Sequence, residues 1–207
     1  MNNAVTCATG CASALTSVDP SKCSPVLNPG QIQRLALTDL LATGTNFGAY
    51  DATETPAAGA VNLPASWSAR IDQTYSGTND VILLHVIGEK ARPEDTEQEI
   101  SLGRKRVTDR EHTVQFSVDE TSDMIHDFFR KVSECGWTGG VWYETSGPLL
   151  FGNTLGIHIP IVASIKAGMV IPRETGSLIT WEGEITWKAM GTETRIPSPI
   201  PATPEPA

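Results

Sequence analysis

Two pairs of neighbouring carboxylates are the residues of this chain best suited to acid–base chemistry: Asp119 with Glu120, and Glu182 with Glu184. A glycoside hydrolase needs two acids that flank the bond it cleaves, one to donate a proton and one to act as base or nucleophile. The first pair lies where a strand pattern gives way to a helix pattern. The second lies on the polar face of an alternating strand, where acids are common. A small glycan hydrolase is therefore the least favoured of three hypotheses for function.

The cysteines and histidines are the residues that could bind a metal ion. Cys7, Cys11 and Cys23 lie close together, but a structural zinc site takes four Cys or His ligands and no histidine is near these three. We expect Cys135 to be buried and unreactive, because the C terminus of a helix does not favour the thiolate. The sequence predicts no metal site and no cofactor. The histidines fall in four different predicted elements: His85, His112, His126 and His158.

Motifs for nucleotide binding and covalent catalysis are missing from the sequence. It contains no phosphate-binding glycine loop, no dinucleotide fingerprint, no Gly-x-Ser-x-Gly and no His-Glu-x-x-His. The charge balance argues against capture of nucleic acid, since 15 Lys and Arg stand against 24 Asp and Glu and give a net charge of −9. The sequence therefore predicts a protein that is not an enzyme and that does not hold DNA.

The length of 207 residues, 40% of them hydrophobic, suits one globular domain with additional arms. We expect an extended N-terminal arm at 1–29, a folded domain at 30–195 and a Pro-rich extended tail at 196–207, since both ends lack helical or strand periodicity. The sequence shows no charged and apolar leader and no apolar run long enough to span a membrane. We therefore expect a protein made in a cytosol-like compartment, with no membrane partner.

Strand patterns dominate the folded domain. Residues 113–119 alternate between apolar and polar side chains, which is typical of a half-buried strand. The run at 81–87 is apolar apart from His85, which favours a strand buried on both faces with a core histidine. Two long alternating strands, predicted at Ile157–Ile171 and Leu178–Met190, are expected to offer edges that pair between subunits. The remaining predicted strands are Gln31–Thr38, Gly140–Thr145 and Leu149–Phe151.

One amphipathic helix is predicted at about 122–135, with Thr121 or Ser122 as its N-cap and Gly136 as its end. Together these elements predict a mainly β fold, an antiparallel β sandwich or open barrel with one packed helix. The large apolar side chains on the inward faces are expected to anchor its core. They are Phe116, Ile125, Phe128, Phe129, Trp142, Trp181 and Trp187.

A charged hairpin arm is predicted between Glu89 and His112, where acids precede bases around Gly103. A solvated loop is the alternative, since charge runs commonly face water. The basic triplet is short and flanked by acids, which favours salt bridges between subunits over a nucleic-acid groove. The expected inter-subunit contacts are Glu97, Glu99, Arg104, Lys105, Arg106 and Arg110.

The order of these elements resembles that of the tail-tube proteins of long-tailed bacteriophages, over roughly residues 30 to 200. Several short stretches are similar to virion proteins of phages that infect Bacteroidetes-type bacteria. The resemblance implies β-sandwich subunits with one helix that form hexameric rings, which stack into a tube in the virion tail after assembly in the host cytoplasm. The stretches are Gly30–Ile32, Glu97–Arg106, Trp142–Thr145, Phe151–Asn153 with Gly156–Ile157, and Ile185–Ala189.

The leading hypothesis is thus a virion structural protein whose partners are its own copies and other tail or neck proteins. A tube that lets DNA pass without binding it needs an acidic lumen, and a charge of −9 per subunit is consistent with one. The alternative is a capsid decoration, connector, baseplate or adhesion module. Such a module would bind its partner through the Pro-rich tail or through the Ala- and Thr-rich loop at Leu40–Gly77.

Overall fold

The computed structural model of the chain describes residues 30–38, 67–68, 71, 81–119, 122–153, 160–173 and 177–201. The predicted N-terminal arm with its three cysteines, Glu120, His158, most of the Ala- and Thr-rich loop and the last residues of the tail lie outside these ranges. Within the described residues, no helix has the length and apolarity to cross a membrane. The elements are β1 (Ile32–Thr38), β2 (Ile82–Lys90), β3 (Glu94–Ser101), β4 (Arg104–Asp119), α1 (Asp123–Cys135), β5 (Trp137–Thr145), β6 (Leu149–Gly152), β7 (Ile161–Val170), β8 (Thr180–Lys188) and β9 (Thr194–Pro197).

Six of these strands form a closed antiparallel barrel. Its strand order is β1-β2-β4-β8-β7-β5, and β5 closes the circle by pairing with β1 between Ile32↔Thr145 and Thr38↔Gly140. β3 pairs with β4 alone, while β6 and β9 extend the wall from the C-terminal end of β5. The predicted mainly β fold with one packed helix and a charged hairpin arm is confirmed, and the barrel is closed rather than open.

Closure of the barrel changes which strand edges are free. β8 pairs with β4 on one side and β7 on the other, and β7 lies between β5 and β8. The expectation that these two long strands offer edges to other subunits is therefore wrong, because both are built into the barrel wall. The strands at the two ends of the described sheet are instead β3 and β9.

The barrel interior is filled from alternate positions of its strands, as the period-two patterns predict. One inward row crosses β2, β4, β8 and β7 as Gly88, Phe116, Gly183 and Ala167. A Cβ on Gly183 would lie 2.6 Å from Cζ of Phe116, so this glycine leaves the space that the ring fills. Small residues on both sides of one large ring keep the interior close-packed.

Local caps fix both ends of helix α1. Oγ of Ser122 accepts a hydrogen bond from the N–H of Ile125 at 3.4 Å, as an N-cap does. Gly136 has a φ of 69°, in the left-handed region that favours glycine, and its N–H donates to the carbonyl of Val132 at 2.8 Å. The predicted bounds of the helix are thus set by its two capping residues.

Helix α1 closes one end of the barrel. β4 leads into the helix and β5 follows it, and these strands lie on opposite sides of the barrel, so the helix crosses the opening. Phe129 is fully buried, and its ring centroid lies 5.7 Å from that of Trp181 and 6.1 Å from that of Phe116. We call this end of the barrel the helix end.

A second, smaller core lies outside the barrel, against β1 and β5. Ala36 and Trp142 point away from the barrel interior and pack with Trp67, whose ring lies 5.2 Å from that of Trp142. Ile196 of β9 and Ile200 close over this core. The first part of the Pro-rich tail is therefore packed against the body, with Ile196 in a strand that pairs with β6.

An ion pair holds the tail in this position. Nη2 of Arg34 donates to Oε1 of Glu144 at 2.7 Å, and Nε lies 2.6 Å from Oε2 of the same carboxylate. Nη1 of Arg34 donates to the carbonyl of Pro201 at 2.5 Å. The guanidinium thus joins β1, β5 and the tail on the outer side of the barrel.

The apolar run at 81–87 belongs to a strand that faces two different surroundings. Leu84 and Val86 point into the barrel, whereas Leu83 packs against the second core. His85 is exposed and Ile87 is 64% exposed, so the predicted core histidine and the predicted burial on both faces are wrong. The apolar run arises because the outward face of β2 is covered at one end only.

The expectation that Cys135 is buried is wrong, since its thiol is free and exposed at the last turn of α1.

The core anchors expected from the sequence lie in two different cores. Phe116, Phe129, Trp181 and Trp187 are buried in the barrel, Ile125 and Phe128 pack partly buried against it, and Trp142 lies in the second core.

Candidate functional site

The hairpin arm is the part of β3 and β4 that extends beyond the barrel. β8 pairs with β4 from Glu111 onward and β2 from Val114 onward, so residues 104–110 pair with β3 alone. About seven residues of extended strand reach roughly 23 Å beyond the wall. Leu102 and Gly103 form the turn with φ values of 52° and 72°, which a tight two-residue hairpin requires.

The two strands of the arm carry opposite charges. Lys105 Nζ lies 3.0 Å from Glu97 Oε2, and Arg110 Nε lies 2.6 Å from Asp95 Oδ1. These pairs are largely exposed, so each contributes at most about 1 kcal/mol. Among the described residues, Arg104 and Arg106 make no ion pair. The tip of the arm therefore has unpaired positive charge.

The described side chains of the arm form no apolar core. A two-stranded hairpin is at best marginally stable in water without further packing. The predicted contact residues on it are exposed, except Arg110, which is half-buried where the arm meets the barrel. Leu102 at the tip is 93% exposed. A ribbon of this length, with an apolar tip and free charges, is typical of a segment that packs on another surface.

Glu193, between β8 and β9, binds groups on both sides of the point where the arm leaves the barrel. Its Oε2 lies 2.6 Å from Nζ of Lys90, at the end of β2, and accepts from Oη of Tyr143 at 3.3 Å. Its Oε1 lies 3.0 Å from Nδ1 of His112 in β4, without the alignment of a hydrogen bond. Nε2 of His112 donates to the carbonyl of Ala189 at 3.0 Å. We call these side chains the arm root.

Trp187 packs over the arm root from inside the barrel. Its ring stacks on that of His112 with centroids 5.2 Å apart, and Nζ of Lys90 lies 5.6 Å from its centroid. The side chains of Glu193 and His112 are each 1% exposed. This cluster has acid and base groups that could catalyse proton transfer, but it is too buried to contact a substrate. Its geometry suits a structural clamp.

The hydroxyl of Tyr143 belongs to the same clamp. Burial raises its pKa far above the usual value, and the negative charge of Glu193 and the hydrogen bond to it add to the rise. The hydroxyl therefore stays protonated and acts as a hydrogen-bond donor.

The outer surface of the barrel is covered on one side and bare on the other. The second core covers β1 and β5, whereas β2, β4, β8 and β7 present outward residues to solvent. An open groove of about 950 Å³ runs across this bare face, lined by Glu89, Glu182, Glu184, Gln115 and Lys166 among others. In the described part of the chain, none of these charged groups forms an ion pair. The described lining of the groove therefore has more acid than base.

The predicted acid pairs are placed differently by the fold. Glu182 and Glu184 share the outward side of β8, as predicted, with Lys166 directly across from Glu184 on β7. Asp119 is exposed at the end of β4. None of the described residues that line the groove around the Glu182 and Glu184 pair is a histidine.

The helix end of the barrel carries an apolar surface. In the described residues, nine large apolar side chains are exposed, and five of them lie here. Asp119, just before α1, pairs with Thr180 of β8, which pairs with Val170 of β7, so the start of α1 and the β7–β8 hairpin meet at this end. We call these five the helix-end patch: Met124, Met169, Val170, Ile171 and Leu178.

Sequence reasoning missed the arm root and the helix-end patch. Glu193 lies in an irregular segment, and its partner Lys90 is 103 positions away, so no local pattern joins them. The patch did have a signal: Met169, Val170 and Ile171 are apolar on both strand faces, beyond the alternation that precedes them. Such a run at the end of a strand indicates apolar surface outside the barrel wall.

Among the described residues, no group of three or more His, Cys, Asp or Glu side chains is arranged to hold a metal ion. Comparison of the chain with protein-family models, curated proteins and solved structures finds no match.

Proposed function

We propose that this chain is a non-enzymatic virion structural protein whose copies form stacked hexameric rings, giving a phage tail tube with an acidic lumen. The observation that carries the proposal is the hairpin arm, a ribbon that extends roughly 23 Å from the barrel and whose described side chains form no apolar core. The tube is assembled in the host cytoplasm and resides in the virion tail, where other tail or neck proteins bind its ends.

The two ends of the barrel support stacking in one direction. The arm leaves from the end where the arm root lies, and the helix-end patch lies at the other end, because β4 runs from the arm through the barrel to α1. Contacts between unlike ends of identical copies repeat without limit and give a column. A column is the arrangement that a tube requires.

The bare face supports the acidic lumen. Its groove has the carboxylates of Glu89, Glu182 and Glu184, none of which forms an ion pair within the described residues, and Lys166 also lines it. Its neutral lining groups include Gln115 and Ser117, with Ile87 as an exposed apolar side chain, and no aromatic ring is among the outward side chains of the described lining. Repeated around a ring, such a face repels phosphate, so DNA passes without being held.

The test is retention of double-stranded DNA by assembled tubes. Native tubes are expected to retain none at physiological salt, whereas Glu184→Lys tubes retain DNA because the reversed charge faces the lumen. Glu134→Lys is the matched control, since it makes the same charge change on exposed α1 and should leave retention unchanged. Equal retention by the two variants, or tubes without a central channel in negative stain, would contradict the proposal.

A further inference from the structure

The arm and the helix-end patch lie at opposite ends of every copy, so each copy presents one of them upward and one downward. Residues 111–119 of β4 cross the barrel wall between them. When two copies stack with unlike ends together, the arm of one copy points at the helix end of the next. Its roughly 23 Å length is enough to pass the rim and reach the start of α1.

The tip of the arm and the helix end are complementary in chemistry. The tip presents Leu102, 93% exposed, beside the unpaired guanidinium groups of Arg104 and Arg106. The helix end presents the five apolar side chains of the patch, with the exposed carboxylates of Asp123 and Asp127 on α1 next to Met124, and Asp127 also forms an exposed pair with Arg130 at 3.5 Å. An apolar contact ringed by opposite charges is the usual composition of a specific interface.

We propose that the arm tip of one copy docks on the helix-end patch of the next copy in the stack. Leu102 inserts between Met124 and the side chains of Ile171 and Leu178, and Arg104 and Arg106 face the two aspartates. The inference rests on the proposed stacking of copies, and it names the surface that receives the arm. Its occupant is a second copy of this chain, because the same chain supplies both complementary surfaces.

The decisive experiment mixes two variants that are each defective in one surface. Leu102→Asp removes the tip, and Ile171→Asp with Leu178→Asp removes the patch. Each variant alone should lose stacking, with an association at least about tenfold weaker than that of the native protein. Each variant is first assembled into rings by itself, so that an equimolar mixture of these rings retains one working set of arms and one working set of patches. It should therefore form a complex that stops at two layers, seen by light scattering after size exclusion.

Control variants show whether a loss of stacking is caused by loss of the docking contact or by loss of folding. Ile87→Asp places the same charge on an exposed apolar residue of the bare face, and it should stack like the native protein. Circular dichroism should show native folding for all variants, whose changed residues are exposed. As a second route, Arg104→Glu with Arg106→Glu should lose stacking and regain it with Asp123→Lys and Asp127→Lys.

Two results would overturn the inference. The first is native-like stacking by the patch variant. The second is a mixture that assembles no further than its separate components. If two-layer complexes form but native stacks have no channel, the docking stands and the tube proposal fails. If native protein forms hollow tubes and the patch variant does too, the tube stands and the docking fails.

Discussion

Replacing Glu193 with Gln removes one buried charge from the arm root and keeps the shape of the side chain. The carboxylate is 1% exposed and lies 2.6 Å from Nζ of Lys90. Loss of one partner from a buried ion pair costs about 3–5 kcal/mol. Lys90 is 20% exposed and can regain water, so we expect a loss of about 2–3 kcal/mol in the free energy of unfolding.

Urea unfolding of a double-mutant cycle measures this coupling. Lys90→Met alone should cost more than Glu193→Gln, because it strands a carboxylate that is less exposed than the ammonium group. The double variant should be more stable than the sum of the two losses predicts, by at least about 1 kcal/mol. Asp95→Asn is the control: it removes the exposed pair with Arg110, and should change stability by less than about 0.5 kcal/mol.

Hydrogen exchange tests whether the cluster fixes the arm. The N–H of Ala91 donates to Thr113 O at 3.2 Å, and the N–H of Ala189 donates to Arg110 O at 3.0 Å, both beside the arm root. Glu193→Gln should speed exchange at these two amides more than at the amides of helix α1, since the local opening is at the arm. A loss below 1 kcal/mol, strictly additive single variants, or uniform exchange would refute the clamp.

Three further predictions follow from other contacts. The raised pKa of Tyr143 keeps its hydroxyl protonated in the folded state, whereas the same hydroxyl ionises above about pH 10 in the unfolded chain. The free energy of unfolding, measured with urea, should therefore fall above about pH 10 by up to about 1.4 kcal/mol per pH unit. Tyr143→Phe should remove this part of the pH dependence, and an unchanged pH dependence in the variant would contradict the prediction. Phe129→Ala should cost about 3–5 kcal/mol in urea unfolding, since the ring is fully buried, and a loss under 1 kcal/mol would show that the helix does not plug the barrel. Arg34→Met should remove the hydrogen bond that ties Pro201 of the tail to β1 and so speed limited proteolysis of the tail, whereas unchanged cleavage would show that the guanidinium does not hold it.

Sequence patterns predicted those elements whose surroundings are uniform along their length. Residues 113–119 have one face in the barrel and one in water, so strict alternation marks the strand. Helix α1 has its caps in Ser122 and Gly136 and one apolar stripe against the barrel, so its bounds can be read from the sequence. Where an element packs against a single core, the local sequence pattern therefore predicts its type and its bounds.

The sequence pattern did not predict the burial of a strand that contacts both a core and solvent on one face. It also did not predict contacts between residues that are distant in sequence. The outward side of β2 is covered at Leu83, beside the second core, and is exposed at His85 and Ile87. Closure of the barrel depends on β1 meeting β5, about a hundred residues later, which no local period encodes. Glu193 has no periodicity at all, and its burial depends on groups brought by β2, β4 and β5.

Sedimentation velocity of the native chain over a concentration series tests most directly whether copies stack through the two ends of the barrel. We expect the 22.2 kDa species to give way to large, discrete assemblies as concentration rises, and negative stain to show these as stacked rings with a central channel. A single 22.2 kDa species at every concentration, with no rings in the same samples, would contradict this expectation.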